Sequence, residues 1–286
     1  MTAAWDTVAI LGVGLIGGSI GLALLERGLS RHVVGIGRRP ATLRSARRRR
    51  AITAYSTEIA QGVADAELIV VCTPVDMVAE QVAAVRRVCR PNAIITDVAS
   101  TKASIVAAVY AEQAAVPGLH GRFLGSHPMA GSEKTGVRHA DAALFQGRAV
   151  ILTPTADTPA AVQRRLTRFW KSLGARVVAL SPEVHDQSVA AISHLPHLVA
   201  SALAASTDAG QLPLAGGGWR DTTRVAAGDV ELWRQIFLDN RQALLPCLDR
   251  FLHKLDAFRA AVRDGDSAAL RCLLEAGKEI RDAVGN

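Results

Sequence analysis

Short runs of β-branched and aliphatic residues alternate with amphipathic stretches through the first two-thirds of the chain. Residues 8–11 (VAIL) read as a buried strand, followed by a glycine-rich turn and a helix running through Glu26. Residues 33–36 (VVGI) read as a second strand, ended by Gly37 and Pro40. Residues 68–72 (LIVVC) and 93–96 (AIIT) are two more, each followed by a helical pattern. Residues 122–125 (RFLG), 149–152 (AVIL) and 176–179 (RVVA) complete the set. Near-continuous apolar strands separated by helices predict an α/β fold on a parallel sheet covered on both faces.

After Leu180 the strand pattern stops. Ser181-Pro182-Glu183 reads as an N-cap with proline at the first helical position. Apolar residues then recur at helical spacing (Val184, Ala191, Leu195, Leu198, Leu203), and helical character persists to the end. One glycine run, Gly216-Gly217-Gly218, interrupts it. The expected organisation is therefore an α/β domain over residues 1–181 and an all-helical domain over 182–286.

Composition narrows the class. Of 286 residues, 49% are hydrophobic and 21% charged, a globular balance with enough apolar material for two packed units. No stretch holds the ~18 uninterrupted apolar residues of a membrane span, so no membrane partner is expected. The net charge is +7, partly concentrated in Arg44, Arg47, Arg48, Arg49 and Arg50. No aromatic residue interleaves with that cluster, so it reads as a solvated helix end and no nucleic-acid partner is expected. Cys72, Cys89, Cys247 and Cys272 show no CxxC spacing. With no signal-type segment before the first strand, the expected setting is the reducing cytoplasm.

Gly12-Val13-Gly14-Leu15-Ile16-Gly17 matches GxGxxG between a strand and an apolar helix, the context the motif requires. Its glycines let the backbone approach a diphosphate, and the helix N-terminus supplies N–H groups and partial positive charge. This predicts a Rossmann-type dinucleotide site with Gly12, Gly14, Leu15, Ile16 and Gly17 at the phosphates. In NAD-binding folds an acid about 20 residues further on accepts the ribose 2′-hydroxyl. Here that count lands on Gly37, with Arg38 and Arg39 after it. Losing the acid removes repulsion of a 2′-phosphate, and a guanidinium can pair with one, so NADP is favoured over NAD.

Ligands in open α/β sheets gather at the carboxyl ends of the strands. Thr73-Pro74 stand beyond one strand, Asp97 to Lys102 beyond the next, and Ser126 to Lys134 beyond a third. His127 is the best acid–base candidate among them. In the helical half, Pro196 within His194-Leu195-Pro196-His197 is expected to kink the helix and expose both imidazoles. No neighbouring carboxylate or third histidine completes a ligand set, so no metal is expected. Gly218-Trp219-Arg220-Asp221-Thr222-Thr223-Arg224 is the other dense polar stretch, equally readable as a salt-bridged helix start.

The stretches GVGLIGGSIGLAL, VVCTPV, TDVASTK, GSHPMAGSEKTG, HDQSVAAISHLPH and GGGWRDTTRVAAGDVELW resemble the prephenate/arogenate dehydrogenases of tyrosine biosynthesis, in order from residue 12 to residue 233. The resemblance implies a nucleotide-binding domain followed by a helical domain that dimerises, with oxidative decarboxylation of a cyclohexadienol to a phenol. Hydride passes to the nicotinamide, the ring carboxylate leaves as CO2, and a neutral histidine serves as the base. By match, His127 is that base, and Ser100 orients it and touches substrate. Ser132 and Glu133 lie near the substrate side chain, and His197 binds substrate. Arg224 pairs with a substrate carboxylate, and Gly217, Asp221 and Trp233 line the same pocket. Thr73 and Pro74 join the glycine loop, Arg38 and Arg39 on the cofactor side. Arogenate is the nearest alternative substrate. A β-hydroxyacid dehydrogenase would carry a lysine where this chain has His194 and His197, and a non-catalytic nucleotide sensor would not need His127, Ser100 and Arg224.

Overall fold

The computed structural model describes residues 4–116, 118–131 and 134–285. Its first sheet is built from β1 (Trp5–Leu11), β2 (Ser30–Ile36), β3 (Ala54–Ser56), β4 (Leu68–Val71), β5 (Ile94–Asp97) and β6 (Arg122–Phe123). These six strands are all parallel, in the order β3-β2-β1-β4-β5-β6. The central strands are buried along nearly their whole length, as a sheet covered on both faces requires. Helices α1 (Leu15–Glu26), α2 (Pro40–Arg48), α3 (Ile59–Val63), α4 (Val75–Arg86) and α5 (Ala103–Ala115) supply the crossovers. The strand order reverses between β1 and β4, which opens a crevice at their carboxyl ends.

The expected single parallel sheet is in fact two. β7 (Gly125–Pro128), β8 (Ala149–Thr153) and β9 (Arg176–Ala179) form a separate sheet in which β7 runs antiparallel to β8. The run expected as one strand over 122–125 breaks at Leu124. The Thr96 hydroxyl donates to the Leu124 carbonyl at 2.7 Å, and the Ser126 N–H donates to the Asp97 carboxylate at 3.2 Å. Side chains at the end of β5 thus take the bonds that would have continued β6, and the chain turns into the second sheet carrying His127 with it. β3 went unread because three residues show no usable periodicity.

α6 (Ala160–Ser172) joins β8 to β9, and beyond β9 the chain is helical. α7 (Pro182–Val189) starts as expected, the Ser181 hydroxyl accepting from the Val184 N–H with Pro182 in the first turn. A π-helical turn, Ala190–His194, leads into α8 (Leu195–Ala205), which places Pro196 in the first turn of α8. Wide turns of this kind are frequent at functional sites, and this one stands directly before Pro196. The expected exposure is corrected here, because His194 and His197 are both buried. Residues 182–205 are long and apolar enough to cross a membrane by length and composition alone. However, buried His185, Asp186, His194 and His197 interrupt that run. His185, Asp186 and the Nδ1 side of His194 are hydrogen-bonded within the protein, so the run carries a polar, internally bonded face.

α9 (Gly217–Thr223) and α10 (Val230–Asp239) follow, the glycine run forming the first turn of α9. α7 packs against α5, and α10 against α4. Gln235 reaches Asp76 and Asp239 accepts from Ser104, so these helices join the sheets in one compact unit over residues 1–240. Residues 241–286 form a second unit, a hairpin of α11 (Arg241–Asp264) and α12 (Ser267–Val284). Gly265 turns it at φ +64°, and the Asp266 carboxylate caps α12. The arginine cluster falls at the exposed end of α2.

Candidate active site

Two glycines make the β1–α1 turn possible. Gly12 sits at φ +90°, and a Cβ there would lie 2.4 Å from the Cys72 carbonyl oxygen. A Cβ on Gly17 would lie 2.3 Å from the Gly12 carbonyl oxygen. Gly14 instead faces open space, with no atom within 4 Å of the position a Cβ would take. It is the N-cap of α1 and offers no side-chain acceptor, and no acid stands in the first turn. The orphan N–H groups and positive end of the helix dipole are therefore left for an outside anion. Thr73 Oγ1, beside them, is buried with no hydrogen-bond partner among the described residues. This cradle fits a dinucleotide diphosphate, which Gly14, Leu15, Ile16 and Gly17 would hold with Thr73 and Pro74 alongside.

From the cradle a cleft of about 730 Å³ extends past Ser100 and His127 to His194, His197, Arg224 and Trp233. His127 is brought there by β7, directly after the chain leaves the first sheet. Its Nδ1 lies 2.8 Å from His185 Nε2, and His185 Nδ1 lies 2.7 Å from the Asp186 carboxylate. The Nε2 edge of His127 is therefore the edge available to the cleft. Burial, then the neighbouring His185, Lys102 and His194, push its pKa well below the ordinary 6.5, so the ring is neutral at physiological pH. Lys102 is fully buried and paired with Asp97, which also accepts the Ala99 and Ser126 N–H groups. Ser100 lines the cleft beside His127. Among the described residues it makes no hydrogen bond to His127, whose Nδ1 edge belongs to His185.

The far wall is built on an aromatic stack. His197 lies parallel to Trp233 with ring centroids 3.6 Å apart, and Phe237 abuts both. Gly228 permits this, since a Cβ there would lie 2.6 Å from Trp233 Nε1 and 3.0 Å from His197 Cε1. Among the described residues His197 Nδ1 and His194 Nε2 are buried without partners, and both residues line the cleft, so each can meet a polar ligand group. Arg224 is exposed at the rim, and among the described residues no carboxylate pairs with it. Gly217 and Asp221 are exposed on α9 and are not among the described residues that line the cleft. Arg38 and Arg39 are exposed just past β2, outside the cleft itself. Ser132 and Glu133 lie outside the described residues. Cys72 lines the cleft, yet burial and then Asp97 push its thiol pKa up strongly, so it is no nucleophile.

Sequence reasoning missed His185, Asp186, Asn240 and Gly228. The only available signal was the adjacent His185-Asp186 pair, since Asn240 reaches His194 across 46 residues of chain.

The buried histidines make stability depend on pH. Burial lowers the pKa of His127, of His194 (to about 4) and of His197, against an ordinary 6.5 once unfolded. Below about 6.5 the unfolded chain binds more protons than the folded one, so stability is complete above that pH and is lost as pH falls towards the folded values. Thermal unfolding should show Tm dropping between about pH 7 and pH 5. A flat Tm over that window contradicts the neutral, buried assignment.

Comparison with known proteins agrees with this geometry. Residues 20–179 match the family model "Prephenate dehydrogenase, nucleotide-binding domain", and residues 181–276 match "Prephenate dehydrogenase, dimerization domain". The prephenate dehydrogenase of Bacillus subtilis (strain 168) is 34% identical over 288 residues, covering 98% of this chain and 76% of that protein. The crystal structure of prephenate dehydrogenase from Aquifex aeolicus with hydroxyphenyl propionate and NAD+ superposes at a TM-score of 0.88 with 29% identity, covering 98% of each chain. The Synechocystis arogenate dehydrogenase structure gives a TM-score of 0.82 with 30% identity, covering 97% of this chain and 99% of that one. With both domain models matched in order and a relative of this identity aligned over 98% of this chain, the chain belongs to the prephenate dehydrogenase family.

Proposed function

We propose that this protein catalyses the NAD(P)-dependent oxidative decarboxylation of prephenate to 4-hydroxyphenylpyruvate, a step of tyrosine biosynthesis. One observation carries the reading: the neutral His127 presents Nε2 to a cleft bounded by the glycine cradle on one side and Arg224 on the other. The nicotinamide, when bound, supplies a hydride acceptor. His127 Nε2 takes the proton of the ring hydroxyl as the carbinol carbon is oxidised, which stabilises the developing positive charge. Arg224 pairs with a substrate carboxylate, and the unpartnered nitrogens of His194 and His197 meet the remaining polar groups. The Aquifex aeolicus relative holds a hydroxyphenyl acid together with NAD+, which supports this arrangement.

A second reading, arogenate to tyrosine, has its support in the Synechocystis relative. The substrates differ only in a keto or amino group on the side chain. Steady-state assays with prephenate and arogenate, each with NAD and NADP, decide between them, with the highest kcat/KM expected for prephenate with NADP. Turnover of arogenate alone selects the second reading, and turnover of neither overturns both.

The preference for NADP is supported by Gly37 and the two exposed guanidiniums after it. Among the described residues neither Arg38 nor Arg39 has a carboxylate partner. Arg38→Ala should raise KM for NADP and leave NAD nearly unaffected; equal loss for both removes Arg38 from 2′-phosphate recognition. The reverse change is sterically open, because a Cβ at Gly37 meets only Leu43 at 3.6 Å, an ordinary contact. Gly37→Asp should therefore turn the preference towards NAD by restoring a ribose acceptor and repelling the phosphate.

The same reading makes the active protein a homodimer in the cytoplasm, with functional domains meeting near residue 181. The match of residues 181–276 to a dimerization domain supports pairing. So do Leu245, Leu252, Leu255 and Val262, which recur at helical spacing along α11 and are exposed. The four free cysteines suit a reducing compartment.

A further inference from the structure

Behind His127 lies a buried chain of polar groups that the reaction as described does not use. His185 is fully buried on α7, 58 residues along the chain from His127, and its Nε2 lies 2.8 Å from His127 Nδ1. Its other nitrogen faces Asp186 Oδ1 at 2.7 Å. Asp186 in turn accepts the Lys102 N–H on Oδ1 at 2.8 Å and the Ala103 N–H on Oδ2 at 2.9 Å, at the amino end of α5. Its backbone carbonyl accepts from Asn240 Nδ2 at 2.9 Å.

This set of bonds has one consistent direction. A carboxylate only accepts, and the two backbone N–H groups on Asp186 stabilise it in that form, so His185 Nδ1 is the donor in its contact with the carboxylate. A neutral imidazole carries one N–H, so His185 Nε2 is then an acceptor. His127 Nδ1 must donate to it, and His127 Nε2 is left with a lone pair towards the cleft. Resting on the proposed reaction, we propose that His185 and Asp186 are positioning residues that hold His127 in the tautomer able to accept the substrate's hydroxyl proton. When that proton arrives at Nε2, the His127 Nδ1 proton can pass to His185 Nε2. Nothing is lost or gained, and the positive charge then sits beside the Asp186 carboxylate. The other charged and titratable groups around the pair are Lys102 with its partner Asp97, and His194, which packs edge-on against Trp233. The Lys102–Asp97 pair is internally balanced, so Asp186 is the carboxylate left to offset a charged His185. The arrangement follows the general logic of a base oriented by a third group.

Asp186→Asn tests this. An asparagine can keep one oxygen on the α5 N–H groups while turning its amide N–H towards His185 Nδ1. That reverses both tautomers and leaves His127 protonated on Nε2. Nitrogen-15 NMR of histidine-labelled protein should show His127 as the Nδ1–H form in the parent and as the Nε2–H form in the variant. With substrate, kcat should fall about 10²-fold or more while KM and cofactor affinity stay close to the parent values, since a wrong tautomer is costly where a histidine must accept a proton. An unchanged His127 tautomer in the folded variant, or a loss confined to KM, overturns the proposal. Should Asp186→Asn fail to fold, His185→Phe removes the acceptor while keeping the α5 cap. The same kcat loss is expected there, and near-normal kcat overturns the idea. The NMR result stands apart from turnover: a parent inactive on both ring substrates sinks the proposed reaction, whereas the tautomer measurement still decides the positioning role.

Discussion

His127→Asn is expected to lower kcat by roughly 10²–10⁴-fold while leaving cofactor affinity unchanged, the usual range for a positioned acid–base group. The asparagine is close in volume and can keep the bond to His185 Nε2, so the β7 backbone has no reason to move. What it cannot do is accept a proton at the position of Nε2. The pH profile gives an independent check. In the parent, kcat/KM should fall on the acid side as the imidazole protonates, and that limb should lie well below the ordinary 6.5, because burial first and then the neighbouring His185, Lys102 and His194 disfavour the charged ring. The variant should lose the limb. Near-normal turnover in the variant, or an acid limb that persists unchanged, removes His127 from the chemistry.

Arg224→Ala should raise KM strongly with a smaller fall in kcat. The substrate carries two carboxylates, and drawing one into a cleft requires a paired charge to offset lost hydration. Losing one side of such a pair commonly costs about 2–5 kcal/mol, a tens- to thousands-fold change in KM. Arg224→Lys should recover only part of the loss, because a lysine keeps the charge but not the two-pronged geometry. The competing account, a structural salt bridge, predicts a lowered melting temperature with a nearly normal KM. The structure weighs against it, since no carboxylate among the described residues pairs with Arg224. Measuring KM and Tm together separates the two, and a normal KM with a lowered Tm defeats the binding role.

Some of this protein was legible because its instructions are short-range. The turn at Gly12 needs a positive φ and a Cβ-free approach to the Cys72 carbonyl, and both demands fall on glycines within a six-residue motif. Helix α1 ends at Glu26 as read, and the start of α7 is written into Ser181 and Pro182 as a side-chain acceptor and a preset φ. The central parallel strands announce themselves as unbroken apolar runs, since both their faces are buried.

Other features depend on residues distant in sequence, where local pattern carries no signal. The break at Leu124 is imposed by Thr96 and Asp97, nearly thirty residues earlier, whose side chains capture the bonds of the next strand. The histidines of the SHLPH stretch were expected to be exposed at a proline kink, but the π turn and the stack with Trp233 and Phe237 bury them. Residues near the end of α10 also had to fold back before Asn240 could meet Asp186 and His194.

By itself, then, the sequence determined the βαβ frame and the glycine cradle and marked His127 as the acid–base candidate, because those rest on backbone geometry and residue chemistry within a few positions. Only the tertiary structure decided which groups lie against His127 and which charges surround it. Those properties are set by hydrogen bonds and desolvation between elements that chain closure alone brings together.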